Sequence, residues 1–252
     1  MGSFFRLPGS RIASQKNSVM KLAIMQPYFF PYIGYYQLVN SVDHFIFYDD
    51  VNFIKRGWIN RTNIITKEAK QLLSVSLSHS SQNKRINEIK LNGKPEKILR
   101  TIEFTYKKAP YFEDVFPLIE SCIFSDYELI SEFAAHTIRS VSEYLGVKTE
   151  FSFSSEFHRS TAGYEKARRL MDICKKENAE IYINSIGGQA IYTKEEFRQE
   201  GIDLYFLKSK PINYDQHPIR KEGFEANLSI IDVMMFNSMD QVTRLLKEYD
   251  LI

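Results

Sequence analysis

Only two cysteines, Cys122 and Cys174, occur in the 252 residues. They have no metal-ligand spacing, and Cys174 falls on the apolar face of an expected helix, so reduced thiols in a cytoplasmic protein are expected rather than a disulfide framework. Net charge is nearly absent too: 33 basic residues against 31 acidic ones leave +2. That balance argues against a protein whose main business is holding a nucleic-acid backbone. No uncharged apolar run approaches the ~20 residues a membrane helix needs, so no membrane insertion is expected. Residues 1–19 hold basic residues without a continuous apolar stretch of the signal-peptide kind. They read as a disordered extension or an expression remnant ahead of a start at Met20. What is plentiful is apolar material, 44% of the chain, enough for a sizeable core in one domain or two intimately packed lobes, with a single domain over 20–252 as the expectation.

The apolar pattern alternates between strand and helix periods. Leu22 to Met25 is an uninterrupted apolar strand, Gly34 to Asn40 a short helix, and His44 to Tyr48 a second strand rich in β-formers. Residues 61–66 and 71–78 suggest a hairpin, because Leu73, Val75 and Leu77 alternate with Ser74, Ser76 and Ser78 beyond a turn at 67–70. From 96 to 146 the period turns helical, with Ile98, Leu99 and Ile102 on one segment and Ile130, Phe133, Ile138 and Val141 on another that Gly146 closes. Phe151 and Phe153 alternate in a strand, Leu170 and Cys174 mark a helix, and Ile181 to Ile183 marks the next strand. Thr193 and Glu196 form a capping box, and Leu204 to Leu207 is a strand. Ser229, with Asp232 as its reciprocal partner, and Ser238 open two closing helices. The expectation is an α/β protein with a Rossmann-like, mostly parallel sheet, an inserted β-hairpin and a helical middle section at about 96–146.

In such a sheet ligands sit outside the carboxyl ends of the strands, and the chain is unusually polar and aromatic there. After the first strand comes QPYFFPYIGYY, where Gln26, Tyr28, Tyr32 and Tyr35 bring an amide and hydroxyls that need partners if buried. The turn is either a binding surface or a rigid packed corner fixed by Pro27 and Pro31. Asp49 and Asp50 end the second strand. Carboxylates there could bind a sugar hydroxyl, hold Mg²⁺ or accept a proton from an attacking amine, or could cap a turn. Lys55, Arg56 and Arg61 flank Trp58, so this segment could clamp a pyrophosphate while the indole stacks on a base or sugar, or be a solvated loop with one anchored ring. Nothing in it spells sequence-specific nucleic-acid recognition. Further on, Asn184, Gly187, Gly188 and Gln189 follow a strand, and paired glycines let backbone N–H groups approach a polar ligand closely unless they simply form a tight turn. The histidines have no metal or triad spacing, so no metal is indicated by spacing, and the identity of a cofactor is left open.

The segments QPYFFPYIGYYQL, YDDVNFIKRGWINR, KKAPYF at 107–112, YINSIGGQAIY at 182–192 and LSIIDVMMFN at 228–237 occur in this order and together resemble the WbqC-like protein family, from about Met20 to the C-terminus. The family's association with bacterial surface-polysaccharide, O-antigen type gene clusters implies an enzyme handling nucleotide-linked sugars. The implied activity is a transferase that attaches an acyl or aminoacyl group to the amine of a nucleotide-linked amino sugar. Asp49 or Asp50 would orient or deprotonate the amine, and Gly187 and Gly188 N–H groups would hold the oxyanion. The alternatives are a glycosyltransferase, an ATP-dependent ligase, or a non-catalytic nucleotide-sugar binding or scaffold protein, with a homo-oligomer left open. A second resemblance is to the strand–turn–helix start of nucleotidylyltransferases and pantothenate synthetases. Their HxGH signature is replaced here by Tyr32-Ile33-Gly34-Tyr35. A tyrosine near its usual pKa of ~10 supplies neither imidazolium charge nor ready acid–base exchange.

Overall fold

The computed structural model describes residues 19–161, 163–164, 166–220 and 222–252; the expectation for the N-terminal extension falls, up to residue 18, outside them. In chain order the elements are β1 (Lys21–Met25), α1 (Ile33–Asn40), β2 (His44–Phe47), β3 (Arg61–Ile65), β4 (Lys70–Ser74), β5 (Leu77–Ser78), β6 (Lys90–Leu91), α2 (Glu96–Tyr106), α3 (Phe112–Ile123), α4 (Ile130–Tyr144), β7 (Glu150–Phe153), α5 (Ser154–Phe157), α6 (Lys166–Lys176), β8 (Ile181–Ser185), α7 (Lys194–Gln199), β9 (Asp203–Ser209), α8 (Ile230–Phe236), α9 (Met239–Leu245) and β10 (Tyr249–Leu251). The main sheet has the order β10-β9-β8-β1-β2-β7. Its neighbours are parallel except at β10, which runs antiparallel to β9. The fold is thus α/β with a mostly parallel central sheet flanked by helices.

Strand alternation divides the core. Ala23, Phe45, Phe47, Ile183 and Leu207 face a large cluster built with α1, α4 and α8, while Leu22, Ile24, Ile46, Tyr182, Leu204 and Phe206 face a smaller one built with α6 and α7. Both faces are covered, as a parallel sheet requires, which is why these strands read as unbroken apolar runs. Strand order reverses at β1: the chain goes first to β2 and β7, then crosses to β8 and β9 on the other side. The carboxyl ends of β1 and β8 therefore flank the switch point where such sheets leave a crevice.

Three details differ from the sequence reading. The hairpin is shorter than 61–78, because β4 stops at Ser74 and Leu77–Ser78 pair with Lys90–Leu91 instead. Helix α3 adds a third helix to the two expected segments; its apolar residues Val115, Ile119, Cys122 and Ile123 are buried, but Pro117 inside it is a breaker signal that masks the period. Strand β10 also went unread, since three residues on a sheet edge carry too little pattern to stand out. The helical middle section is α2, α3 and α4, and Gly146 takes φ +71°, the left-handed value that a helix-ending glycine accepts without strain.

Candidate functional site

The aromatic turn after β1 is held from several sides. Phe30 is fully buried with φ 39°, a left-handed value that costs a bulky side chain energy. Its N–H donates to Thr137 Oγ1 (3.3 Å), and its carbonyl accepts from Thr62 Oγ1 and Ser229 Oγ, both at 2.8 Å. Phe29 N–H donates to the Trp58 carbonyl at 3.3 Å, and Ile230 N–H to the Pro31 carbonyl at 2.9 Å. Phe29 and Phe30 point into the core, so the phenylalanines anchor the turn and leave the tyrosines beside them at its surface. Gly34 completes the corner. A Cβ there would lie 2.6 Å from the Tyr32 ring and 2.7 Å from Ser209 Oγ, so only glycine lets α1 start this close to both.

Against this turn lies a pocket of about 400 Å³ lined by Tyr28, Pro31, Tyr32, Trp58, Arg61, Thr62, Asn63, Lys70, Asn227, Leu228 and Ser229. Four expected site residues, Tyr28, Tyr32, Trp58 and Arg61, converge in it. The turn supplies the tyrosines, β3 and the loop before it supply Trp58 and Arg61, and the segment leading into α8 closes the third side. Burial and the neighbouring Tyr32 push Tyr28 up to about 12, so near neutrality its hydroxyl is a hydrogen-bond donor and not a base. Arg61 Nε donates to the Gly57 carbonyl at 3.0 Å, and among the described residues its guanidinium makes no ion pair. The lining offers rings, hydroxyls, amides and two cations, with no carboxylate or imidazole. Among the described residues no group of three His, Cys, Asp or Glu could hold a metal ion.

The remaining expected residues stand elsewhere. Asp49 and Asp50 are buried and do not line this pocket. Asp49 caps α5, accepting from Ser155 N at 3.0 Å, Ser155 Oγ at 2.7 Å and Ser154 Oγ at 3.2 Å. Asp50 accepts from Ser154 Oγ and from Arg169 Nη2, both at 2.6 Å. The arginine in turn stacks over Tyr48 at 4.7 Å and donates to Thr161 Oγ1 at 3.1 Å. Their place is thus that of the capping alternative, extended to a buried network between β2, α5 and α6. Gln26 and Tyr35 are tied to one another by the bond from Tyr35 Oη to the Gln26 carbonyl at 2.8 Å, with the Tyr35 ring in the core. Lys55 and Arg56 are exposed on the loop before Trp58 and point to no lining position.

Asn184 near the end of β8 and Gly187, Gly188 and Gln189 in the single helical turn that follows it do not join the pocket. Gly188 is needed for packing, since a Cβ would lie 2.6 Å from Asn184 Nδ2, whereas Gly187 faces open space and Gln189 is exposed. Asn184 Oδ1 accepts from Ser185 N at 2.8 Å.

Two polar clusters escaped the sequence reading. Asp232 was expected to reciprocate the cap of Ser229, but its carboxylate turns inward and is fully buried. It accepts from Tyr214 Oη at 2.7 Å, Tyr106 Oη at 2.8 Å and Gln216 Nε2 at 3.1 Å. Burial raises it to about 6, against the lowering effect of those bonds. Its visible signal was one acid in the otherwise apolar helix IIDVMMF. The second cluster joins His158 Nε2 and His44 Nδ1 to the two oxygens of Glu177, at 3.1 and 3.3 Å, which holds that carboxyl below its ordinary range. These residues lie far apart in sequence, and no local motif announces them.

Fold and pocket together define a Rossmann-like α/β protein with a polar, aromatic and cationic pocket beside the exit of its first strand. The chain belongs to the WbqC-like protein family, whose model matches residues 26–244. It is similar to the uncharacterized protein Rv1507c of Mycobacterium tuberculosis, with 26% identity over 224 residues, covering 86% of this chain and 93% of that protein. No solved structure gives a significant match. No helix among the described residues is long and apolar enough to cross a membrane.

Proposed function

We propose that this protein binds a nucleotide-linked amino sugar in the pocket at the aromatic turn and serves surface-polysaccharide precursor synthesis as an acyl or aminoacyl transferase. The observation that carries the ligand assignment is the meeting of Tyr28, Tyr32 and Trp58 with Arg61 and Lys70 in one cavity. Rings stack on sugar and base faces, and a guanidinium without a carboxylate partner suits a diphosphate. In the transfer, the sugar amine forms a bond to the donor's acyl carbon, the carbon's bond to its carrier breaks, and the amine proton leaves with the carrier or to water. An amine that is already neutral needs orientation more than activation, so the tyrosine hydroxyls would place it. In this reading Asp49 and Asp50 hold α5 and α6 against the sheet and do not act as base, because their oxygens are already engaged.

A second reading, binding without turnover, is favoured by the absence of any carboxylate or imidazole from the pocket lining. Thermal-shift measurements against nucleotide sugars, acyl-CoAs and ATP separate the readings, since a ligand at 100 times its dissociation constant adds ~2.7 kcal/mol. Stabilisation by a nucleotide amino sugar and by an acyl donor, with N-acylated product in the mixture, is the expected result. Stabilisation by the sugar alone without product supports the binding protein, and stabilisation by neither contradicts both.

A further inference from the structure

The second cation of the pocket is already occupied. Lys70 Nζ stands 3.3 Å from Glu225 Oε1, whereas Arg61 has no such partner among the described residues. Glu225 is not placed there by a loose side chain alone. Its N–H donates to Gln216 Oε1 at 2.9 Å and its carbonyl accepts from Gln216 Nε2 at 3.0 Å, so both backbone groups are fixed by one amide. The same Gln216 Nε2 donates to Asp232 Oδ1 at 3.1 Å, and Gln216 is itself buried. Asp232, Gln216, Glu225 and Lys70 therefore form a continuous chain from a core carboxylate to a pocket cation. Arg220, 3.9 Å from Glu225 and donating to the Glu68 carbonyl at 3.2 Å, ties the same loop to the β3–β4 turn.

Resting on the pocket reading above, we propose that Glu225 is a built-in competitor for the ligand's phosphate groups: its carboxylate holds Lys70 until an anionic ligand takes its place. The pairing neutralises Lys70 and leaves Arg61 uncompensated among the described residues. A diphosphate, with more charge and more acceptor oxygens than a carboxylate, bridges Arg61 and Lys70, and Glu225 is left to Arg220 and water. A neutral ligand cannot displace it and gains nothing from its removal. The consequence is an anion affinity held below what Arg61 and Lys70 alone would give, set by a residue outside the pocket lining.

The test is binding of inorganic pyrophosphate, which needs no knowledge of the base or sugar, to the full chain by calorimetry. Glu225→Gln keeps both backbone bonds to Gln216 and removes the charge. It should tighten pyrophosphate binding about 2- to 5-fold, the upper part of the range of one partly exposed ion pair. In a Lys70→Ala background the same change should gain less than 2-fold. Pyrophosphate affinity unchanged or weakened by Glu225→Gln in a folded protein overturns the inference, as does an equal gain with and without Lys70. So does absence of pyrophosphate binding to both the original and the Glu225→Gln protein. The pocket reading fails separately, if nucleotide sugars do not bind at all.

Discussion

Asp50 Oδ2 and Arg169 Nη2 meet at 2.6 Å with 3% of each side chain exposed. The pair joins the end of β2 to α6 in the second core layer, where neither charge has water to fall back on. Removing one partner of a buried pair strands the other and costs about 3–5 kcal/mol. Asp50→Asn and Arg169→Met should each lower stability in denaturant titration by that order, while ligand affinity in the folded fraction stays within about 2-fold. A base at Asp50 would instead give a ~100-fold loss of turnover at unchanged stability.

Asp232 makes stability pH-dependent with a definite sign. Its folded pKa, about 6, lies above the ~3.9 of an unfolded aspartate, so between these values the folded state binds more protons. Stability from this group is present below about pH 4 and is lost as pH rises through 6, by an amount on the order of 3 kcal/mol. Asp232→Asn should flatten that slope in denaturation curves recorded from pH 4 to 7. A slope unchanged by the substitution would assign it to another group.

The left-handed Phe30 depends on Thr137, whose Oγ1 accepts the buried Phe30 N–H. Thr137→Val preserves shape and orphans that donor, a loss of about 1–3 kcal/mol. Because the same turn carries Tyr28 and Tyr32, nucleotide-sugar affinity should fall along with the melting temperature. Loss of stability with full affinity would show that the pocket does not need this backbone geometry.

Tyr28→Phe removes one hydroxyl from the pocket and should weaken ligand binding by about 0.5–1.5 kcal/mol at unchanged melting temperature. A large drop in melting temperature with unaltered affinity would make the tyrosine part of a packed corner.

Much of the fold was legible because it rests on local pattern. The unbroken runs of β1 and β2 and the Thr193–Glu196 capping box appear where the sequence puts them. The site was legible only in part, for a physical reason. Tyr28, Tyr32, Trp58 and Arg61 belong to two neighbouring segments whose polar and aromatic excess is visible along the chain, and they do meet. Lys70, Asn227 and Ser229 enter from a hairpin and a loop whose approach depends on tertiary packing. The partners of Asp49 and Asp50 were not legible, because a carboxylate at a strand end looks the same in sequence whether it faces solvent, a ligand or Arg169 from α6. Asp232 misled because its spacing from Ser229 fits a cap, while Tyr106 and Tyr214 offered it stronger donors from other elements.

Trp58 is the chain's single tryptophan and lines the pocket half-exposed, so intrinsic fluorescence reports on this site without a label. The most direct measurement is titration with UDP- and dTDP-linked amino sugars, in parallel with calorimetry, for the unaltered chain and for Arg61→Ala. The account predicts saturable fluorescence change at the calorimetric dissociation constant, with affinity falling about 10-fold or more in the variant through loss of a charge-assisted contact. Calorimetric binding with silent Trp58 fluorescence and an indifferent Arg61→Ala would place the ligand elsewhere and contradict the assignment of this pocket.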